Sequence, residues 1–315
     1  MNNRKSFITG IKGTKLNKKE IYFLKKYKPW GIILFSRNLI SIRQIKDLTL
    51  SIKKVFKDKN YPIIIDQEGG RVNRLNKIIS LDNFTSEYFG KIFVNNKREF
   101  NISYKLFIDK ISYILANLGI NINTLPVLDL SYKGSSNIIG DRSFSRNPKI
   151  VSEIGDLCIK YFKNNSIGTM IKHIPGHGLA KVDSHYSTPI INKDLKYLKK
   201  NDFKSFKSKN SLFAMTAHVI FKKIDPNNTV THSKKIINII RKEIKFKNLI
   251  ITDDLSMKSL KYSMTENTKR AFNAGCNLVL HCNGDLTEMI SVAENSPKVN
   301  SFVLKKTSEF YKNLS

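Results

Sequence analysis

Acidic residues are scarce in this chain: 25 Asp and Glu stand against 55 Lys and Arg over 315 residues, a formal charge of +30. Such a surplus raises the question of a nucleic-acid partner, but no nucleic-acid-binding module signature accompanies it. The lysine pairs, among them Lys18-Lys19, Lys53-Lys54, Lys199-Lys200 and Lys305-Lys306, are spread along the chain and interleaved with Ile, Leu and Phe. That spacing is the pattern of solvated helix faces. Cysteine is scarce too, and Cys158, Cys276 and Cys282 are odd in number and not clustered like metal ligands. A disulfide framework is therefore not expected, and a reducing compartment is. No stretch approaches the roughly 18 apolar residues of a membrane span, and the N-terminus MNNRKSFITGIKG lacks the apolar segment of a secretory signal. The expectation is a cytoplasmic chain with no nucleic-acid and no membrane partner.

Other absences narrow the fold. No linker, repeat or low-complexity tract divides the sequence, so one domain over 1–315 is expected, and 41% hydrophobic residues suffice for a large core. What is present is an alternation. Short apolar, β-branched runs at 7–10, 31–35, 62–66, 119–123, 168–173, 211–217, 248–253 and 276–282 are candidate strands. Between them lie segments of helical spacing, including 39–56, 98–118, 148–164 and 233–246. Alternation of this kind predicts parallel strands with crossover helices, and eight strands predict a closed (β/α)8 barrel of the TIM type. The competing open, doubly wound sheet would want a dinucleotide fingerprint at its first turn, and Gly10-Ile11-Lys12-Gly13 is not one.

Polar residues gather just past the candidate strands: Arg37 and Asn38, Asp66-Gln67-Glu68, Lys172-His173, His218 and Asp253-Asp254. In a (β/α)8 barrel the loops at the C-terminal ends of the strands form one rim, so these groups would converge on a shared pocket. Two of those loops, 124–166 and 175–189, are long, as functional loops often are.

The densest segment is Lys172-His173-Ile174-Pro175-Gly176-His177-Gly178, followed by Asp183-Ser184-His185, which puts three of the six histidines within a short stretch. Gly176 and Gly178 permit turns that bring His177 close to a pocket. No H-E-x-x-H or H-x-H pattern and no nearby cysteine supports a metal, so neither metal nor cofactor is expected. Asp183 and His185, one residue apart, can form a carboxylate–imidazole dyad, raising the imidazole pKa so that it donates and later removes a proton. A simple Asx turn beside an exposed histidine is the other reading of that spacing. The apolar run 248–252 ends in two acids. Asp253 sits where a barrel presents a nucleophile, and Asp254 could cap the following helix; capping is open for both. Asp66, Arg74 and Arg142 suit hydroxyl-rich ligands through charge-assisted hydrogen bonds.

Together these segments resemble the bacterial β-N-acetylglucosaminidases of glycoside hydrolase family three that serve peptidoglycan recycling. The likeness runs from Gly31 to about Asn283 and is carried by nine stretches in the family's order: Gly31-Ile-Ile-Leu-Phe-Ser-Arg-Asn38, Asp66-Gln-Glu-Gly-Gly-Arg-Val-Asn-Arg74, Pro126-Val-Leu-Asp-Leu130, Ile139-Gly-Asp-Arg-Ser-Phe144, Lys172-His-Ile-Pro-Gly-His-Gly178, Asp183-Ser-His185, Thr216-Ala-His-Val219, Thr252-Asp-Asp-Leu-Ser-Met257 and Ala274-Gly-Cys-Asn-Leu-Val-Leu280.

The resemblance implies a retaining glycosidase in which Asp253 is the nucleophile, His185 the acid/base and Asp183 its assistant. It gives Asp66, Arg74, Arg142, Lys172 and His173 to substrate binding. A histidine then replaces one of the two carboxylates usual in retaining enzymes. It also implies a movable loop carrying the dyad, and a small muropeptide or disaccharide substrate for a monomer. The chain departs from the family norm in its basicity and in a shortened, Asn-rich stretch, Asp225-Pro-Asn-Asn-Thr-Val230, which bears on what lies beyond the sugar. Two alternatives remain: phosphorolysis, since a histidine in place of a carboxylate repels phosphate less, and a non-catalytic basic barrel that binds sugar or nucleic acid.

Overall fold

The computed structural model describes residues 3–135, 137–184 and 186–314. In chain order the strands are β1 (Lys5–Thr9), β2 (Pro29–Leu34), β3 (Ile63–Ile65), β4 (Ile122–Asn123), β5 (Gly168–Ile174), β6 (Ile190–Ile191), β7 (Phe213–Thr216), β8 (Ile220–Phe221), β9 (Leu249–Asp254) and β10 (Leu278–His281). Eight of them close a parallel barrel in the order β1-β10-β9-β7-β5-β4-β3-β2, each overlapping one of the eight expected strands. The fold is thus a (β/α)8 barrel. The short pair β6 and β8 forms a separate two-stranded parallel sheet in the loops above it. Two residues each leave no periodicity to read, so the sequence gives no sign of that pair.

The expected helices form, 148–164 with the expected ends and the other three with shifted ones. They run Ile42–Phe56, Lys97–Asn117, Pro148–Asn164 and Lys234–Lys242, and Ser41, Asn96, Asn147 and Ser233 cap them through their side-chain oxygens. The segment expected as one long loop over 124–166 is therefore a loop to Asn147 and then a helix.

Two apolar layers hold the barrel. The outer layer packs strand residues such as Phe7, Ile32, Ile63, Ile65, Ile171, Ala214, Ile250 and Val279 against the helices. The inner one fills the barrel with Ile8, Ile33, Ile64, Ile122, Met170, Phe213, Ile251 and Leu280, and adds Val299, Val303 and Phe310 from the C-terminal segment. Helix Ser301–Lys312 seals the N-terminal end, where Trp30 Nε1 donates to Thr307 Oγ1 at 2.8 Å.

Strand alternation sets what comes next. Two residues beyond an inward-facing side chain, the following one points inward again. Two beyond Ile33, Ile64, Ile122, Met170, Ile251 and Leu280 are Phe35, Asp66, Thr124, Lys172, Asp253 and Cys282. One step toward the C-terminal ends of the strands, the filling therefore changes from aliphatic to mostly polar.

Candidate active site

All six of those residues line a single cavity of about 240 Å³ at the C-terminal face. Arg74, Arg142, His173, His177, Asp183, Ser184 and Met257 complete much of its wall. The expected residues Asp66, Arg74, Arg142, Lys172, His173, Asp183 and Asp253 are thus brought together, and His185 lies outside the described residues.

One side of the cavity is a buried ionic cradle. Asp66 accepts from Lys172 Nζ, from Thr124 Oγ1 at 2.6 Å and from Arg74 Nη2 at 2.8 Å. Lys172, only 2% exposed, also reaches Glu68 Oε1 at 2.5 Å. Arg142 grips both oxygens of Glu68 at 2.8 Å, the two-pronged geometry a guanidinium favours. Burial alone would raise both carboxyl pKa values. The charges of Lys172, Arg74 and Arg142 outweigh it at Asp66 and hold that group well below the usual range, while Arg142 and Lys172 lower Glu68. Both carboxylates of the cradle are therefore ionised at neutral pH. Arg74 Nε is buried and has no hydrogen-bond partner among the described residues.

His173 is held from behind. Asp129, buried to 1% exposure, accepts from the His173 backbone N–H at 3.0 Å, lies 2.6 Å from its Nδ1 and accepts from the His177 backbone N–H at 2.6 Å. One carboxylate thus fixes the ring of His173 and the start of the loop that follows β5. That loop turns at Gly176, whose φ of +141° suits glycine, and a side chain at Gly178 would drive a Cβ to 2.0 Å from the Leu130 carbonyl oxygen. The two glycines thus bring His177 against the cavity, as their spacing suggests. Burial pushes the His177 imidazole down to about 4, with the neighbouring His173 adding to the shift.

Asp254 differs from the expected helix cap. Its carboxylate accepts from Ser256 N, Ser256 Oγ and Cys282 N at 3.1, 2.6 and 3.0 Å, tying the loop after β9 to the end of β10. The following helix, Met264–Ala274, is capped by Ser263. Arg37 and Asn38 are loop fasteners, bonded to carbonyls of Ile11, Gly13 and Cys282. His218 directs Nδ1 to Thr231 Oγ1 at 2.7 Å and Nε2 to the Asp254 carbonyl at 3.0 Å. The sequence places Glu68 only among the rim's polar residues, with no role, and Asp129 not at the site at all, although both lie in the family-like stretches. Their signal was an acid set inside an apolar or glycine-rich run, where only a buried partner makes it affordable.

A barrel whose C-terminal rim gathers fixed arginines, a buried lysine and several aspartates around one open cavity has the layout of an enzyme site for a polar, hydroxyl-rich ligand. The comparisons with known proteins agree. Residues 6–303 match the glycosyl hydrolase family 3 N terminal domain. The chain is 35% identical over 288 residues to the beta-hexosaminidase of Nitrosomonas eutropha, covering 87% of this chain and 79% of that protein. To the beta-hexosaminidase of Haemophilus influenzae it is 31% identical over 307 residues, 93% of this chain and 85% of the other. Among solved structures, NagZ from Neisseria gonorrhoeae in complex with N-trifluoroacetyl-D-glucosamine superposes with a TM-score of 0.88 at 28% identity, over 98% of this chain and 90% of that one. The chain belongs to glycosyl hydrolase family 3, among its bacterial beta-hexosaminidase-like members, and is a glycosidase.

Proposed function

We propose that this glycosidase is a retaining exo-β-N-acetylglucosaminidase that removes terminal β-1,4-linked N-acetylglucosamine from peptidoglycan fragments, the sugar joined to anhydro-N-acetylmuramic acid and its peptides. The carrying observation is that Asp253, at the C-terminal end of β9, and Asp183, in the loop after β5, line the same cavity as the Asp66–Lys172–Arg74 cradle. The names of the relatives and the sugar analogue in the gonococcal structure support the choice of sugar.

In this reading the cradle and His173 hold the sugar hydroxyls, and the Asp253 carboxylate attacks the anomeric carbon as the bond to the leaving oxygen breaks. His185, by the family resemblance, gives its proton to that oxygen. As neutral imidazole it then takes a proton from water, whose oxygen attacks the anomeric carbon and releases Asp253. Asp183 favours the protonated imidazole at the outset. The protein would act as a cytoplasmic monomer built as one catalytic domain over 1–315; no described helix is long and apolar enough to cross a membrane.

Mechanism-based labelling with a fluorinated N-acetylglucosaminide, followed by peptide mapping, tests sugar, nucleophile and mechanism together. A stable adduct on Asp253 is the expected result, and an adduct on any other carboxylate would sink the assignment. Release of free N-acetylglucosamine in phosphate-free buffer separates hydrolysis from phosphorolysis.

A further inference from the structure

The loop after β3, which carries Glu68 and Arg74, also carries an arginine that the reaction above does not use. Gly69 and Gly70, with φ of +101° and +53°, let the chain turn back on itself there. Gly69 and Val72 close the turn, each accepting the other's backbone N–H at 3.2 Å. Arg71 lies within it, at the edge of the sugar cavity, with its side chain 46% exposed. From there it reaches across to the loop after β4. Its Nη2 sits among three successive carbonyl oxygens, 2.6 Å from Asn137, 2.6 Å from Ile138 and 3.3 Å from Ile139, while its Nε donates to Asp141 Oδ1 at 2.9 Å.

The segment so held, 137–142, is a wall of that cavity: Ile138 and Ile139 line it, and the segment ends in Arg142. Two attachments tie it to the loop after β3. The inner one is the fork between Arg142 and Glu68, whose side chains are 12% and 2% exposed; the outer one is Arg71. The Ile138 carbonyl joins them, accepting from Arg71 Nη2 and, at 3.0 Å, from Arg142 Nη1. Glu68 engages Nε and Nη2 of Arg142, so among the described residues this shared carbonyl is the one hydrogen-bond partner of Nη1. An exposed arginine–aspartate pair contributes little to folding. Acceptors gathered around one guanidinium nevertheless fix its geometry, because they use a planar fork that lysine lacks.

We propose that Arg71 is a positioning residue for sugar binding: by fixing the Ile138 carbonyl it holds the 137–142 segment in place and aims the Arg142 guanidinium at the substrate. The inference rests on the N-acetylglucosaminidase reading, in which Arg142 binds the sugar, and adds a residue that acts through Arg142.

The test is steady-state kinetics on an aryl N-acetylglucosaminide for the unmodified protein, Arg71→Met, Arg71→Lys, Arg142→Lys and the double variant Arg71→Met/Arg142→Lys. Arg71→Met should raise KM about fivefold, the weakening of one hydrogen bond to the substrate, with kcat kept within about twofold. Its thermal midpoint should stay within about 3 °C of the unmodified protein. Arg71→Lys keeps the charge without the fork and should recover little of the lost affinity. Arg142→Lys should raise KM further, and the double variant should be no worse than Arg142→Lys alone, since both changes spoil the same contact. An unmoved KM in Arg71→Met, full recovery by lysine, or effects that multiply in the double variant would each overturn the inference. Damage to the fold would lower kcat through a smaller active fraction and leave KM where it was, which also counts against it. If Arg142→Lys raises KM and Arg71→Met does not, only the role of Arg71 fails. If Arg142→Lys leaves KM unmoved, or the unmodified protein does not hydrolyse the substrate, the parent reading fails and takes this inference with it.

Discussion

At its N-terminal end the barrel is closed by aromatic rings: Phe213 meets Trp30 and Phe310 edge-on, each at 5.5 Å between centroids. At its C-terminal end the same strands present Asp66, Thr124, Lys172 and Asp253. Both ends are filled from inward-facing positions, so the difference is one of residue type along a shared periodicity and not of geometry. The aromatic end is stabilised by burial and packing. The charged end desolvates Lys172, Asp66 and Glu68 and recovers that cost through their mutual attraction. Stability and function thus occupy opposite ends of one tube, and substitutions at each end should separate them.

The strongest separation is expected at Asp253. Asp253→Ala should lower turnover of every N-acetylglucosaminide on the order of 10⁴-fold or more, as loss of a nucleophile does, while leaving the thermal midpoint within a few degrees of the unmodified protein. Replacing the acid/base should be selective instead: His185→Ala should cost most on substrates with poor leaving groups and least on activated aryl ones. Steady-state kinetics over a series of leaving groups measures both, and a flat His185→Ala response would remove the acid role.

Next in size is a matched pair, one variant from each end. Lys172→Met leaves two buried carboxylates short of their shared cation and should destabilise the fold by about 3–5 kcal/mol, with a large rise in KM as well. Phe310→Ala opens a cavity among the aromatic rings and should cost a similar 3–5 kcal/mol. Measured well below its melting temperature, however, Phe310→Ala should keep KM and kcat near the unmodified values. Denaturant melts and kinetics on the same preparations decide it; a KM defect in Phe310→Ala would mean that the two ends are coupled.

The same comparison explains which parts of the molecule the sequence announced. Short apolar, β-branched runs with abrupt acidic ends, as in Ile63-Ile64-Ile65-Asp66 and Ile250-Ile251-Thr252-Asp253, mark both the strand and the rim, so the barrel and the expected binding residues could be read together. Partnerships across the barrel left no such mark. Asp129 and His173 are 44 positions apart and Glu68 and Arg142 are 74, and nothing local couples them. The seal formed by Ser301–Lys312 was equally silent, because one amphipathic helix looks much like another until the closed barrel offers it an end to cover. Asp254 misled for a related reason: an acid ahead of a helix reads as its cap, but the backbone N–H of Cys282, brought near by the pairing of β9 with β10, competes for it.

The smallest effect expected is on pH dependence, and it also belongs to the charged end. The folded His177 imidazole titrates at about 4, against an ordinary value of 6.5, because burial disfavours its charged form. With the folded value lower, the unfolded chain takes up the proton first as pH falls, so stability is lost between about pH 6.5 and 4, to a total of about 3 kcal/mol. His232, also pushed down to about 4 by burial, adds loss of the same sign. The lowered carboxyls Asp66 and Glu68 act in a separate window: their contribution is present above the ordinary carboxyl range and disappears only as pH falls through their depressed values, so it does not confuse the first. Urea melts of the unmodified protein and His177→Gln at pH 7, 5.5 and 4 should show the variant losing less stability across the upper window, with parallel behaviour below it. Identical curves would mean that His177 takes up its proton in the folded protein as readily as in the unfolded chain, and that burial at the charged end does not oppose its charging.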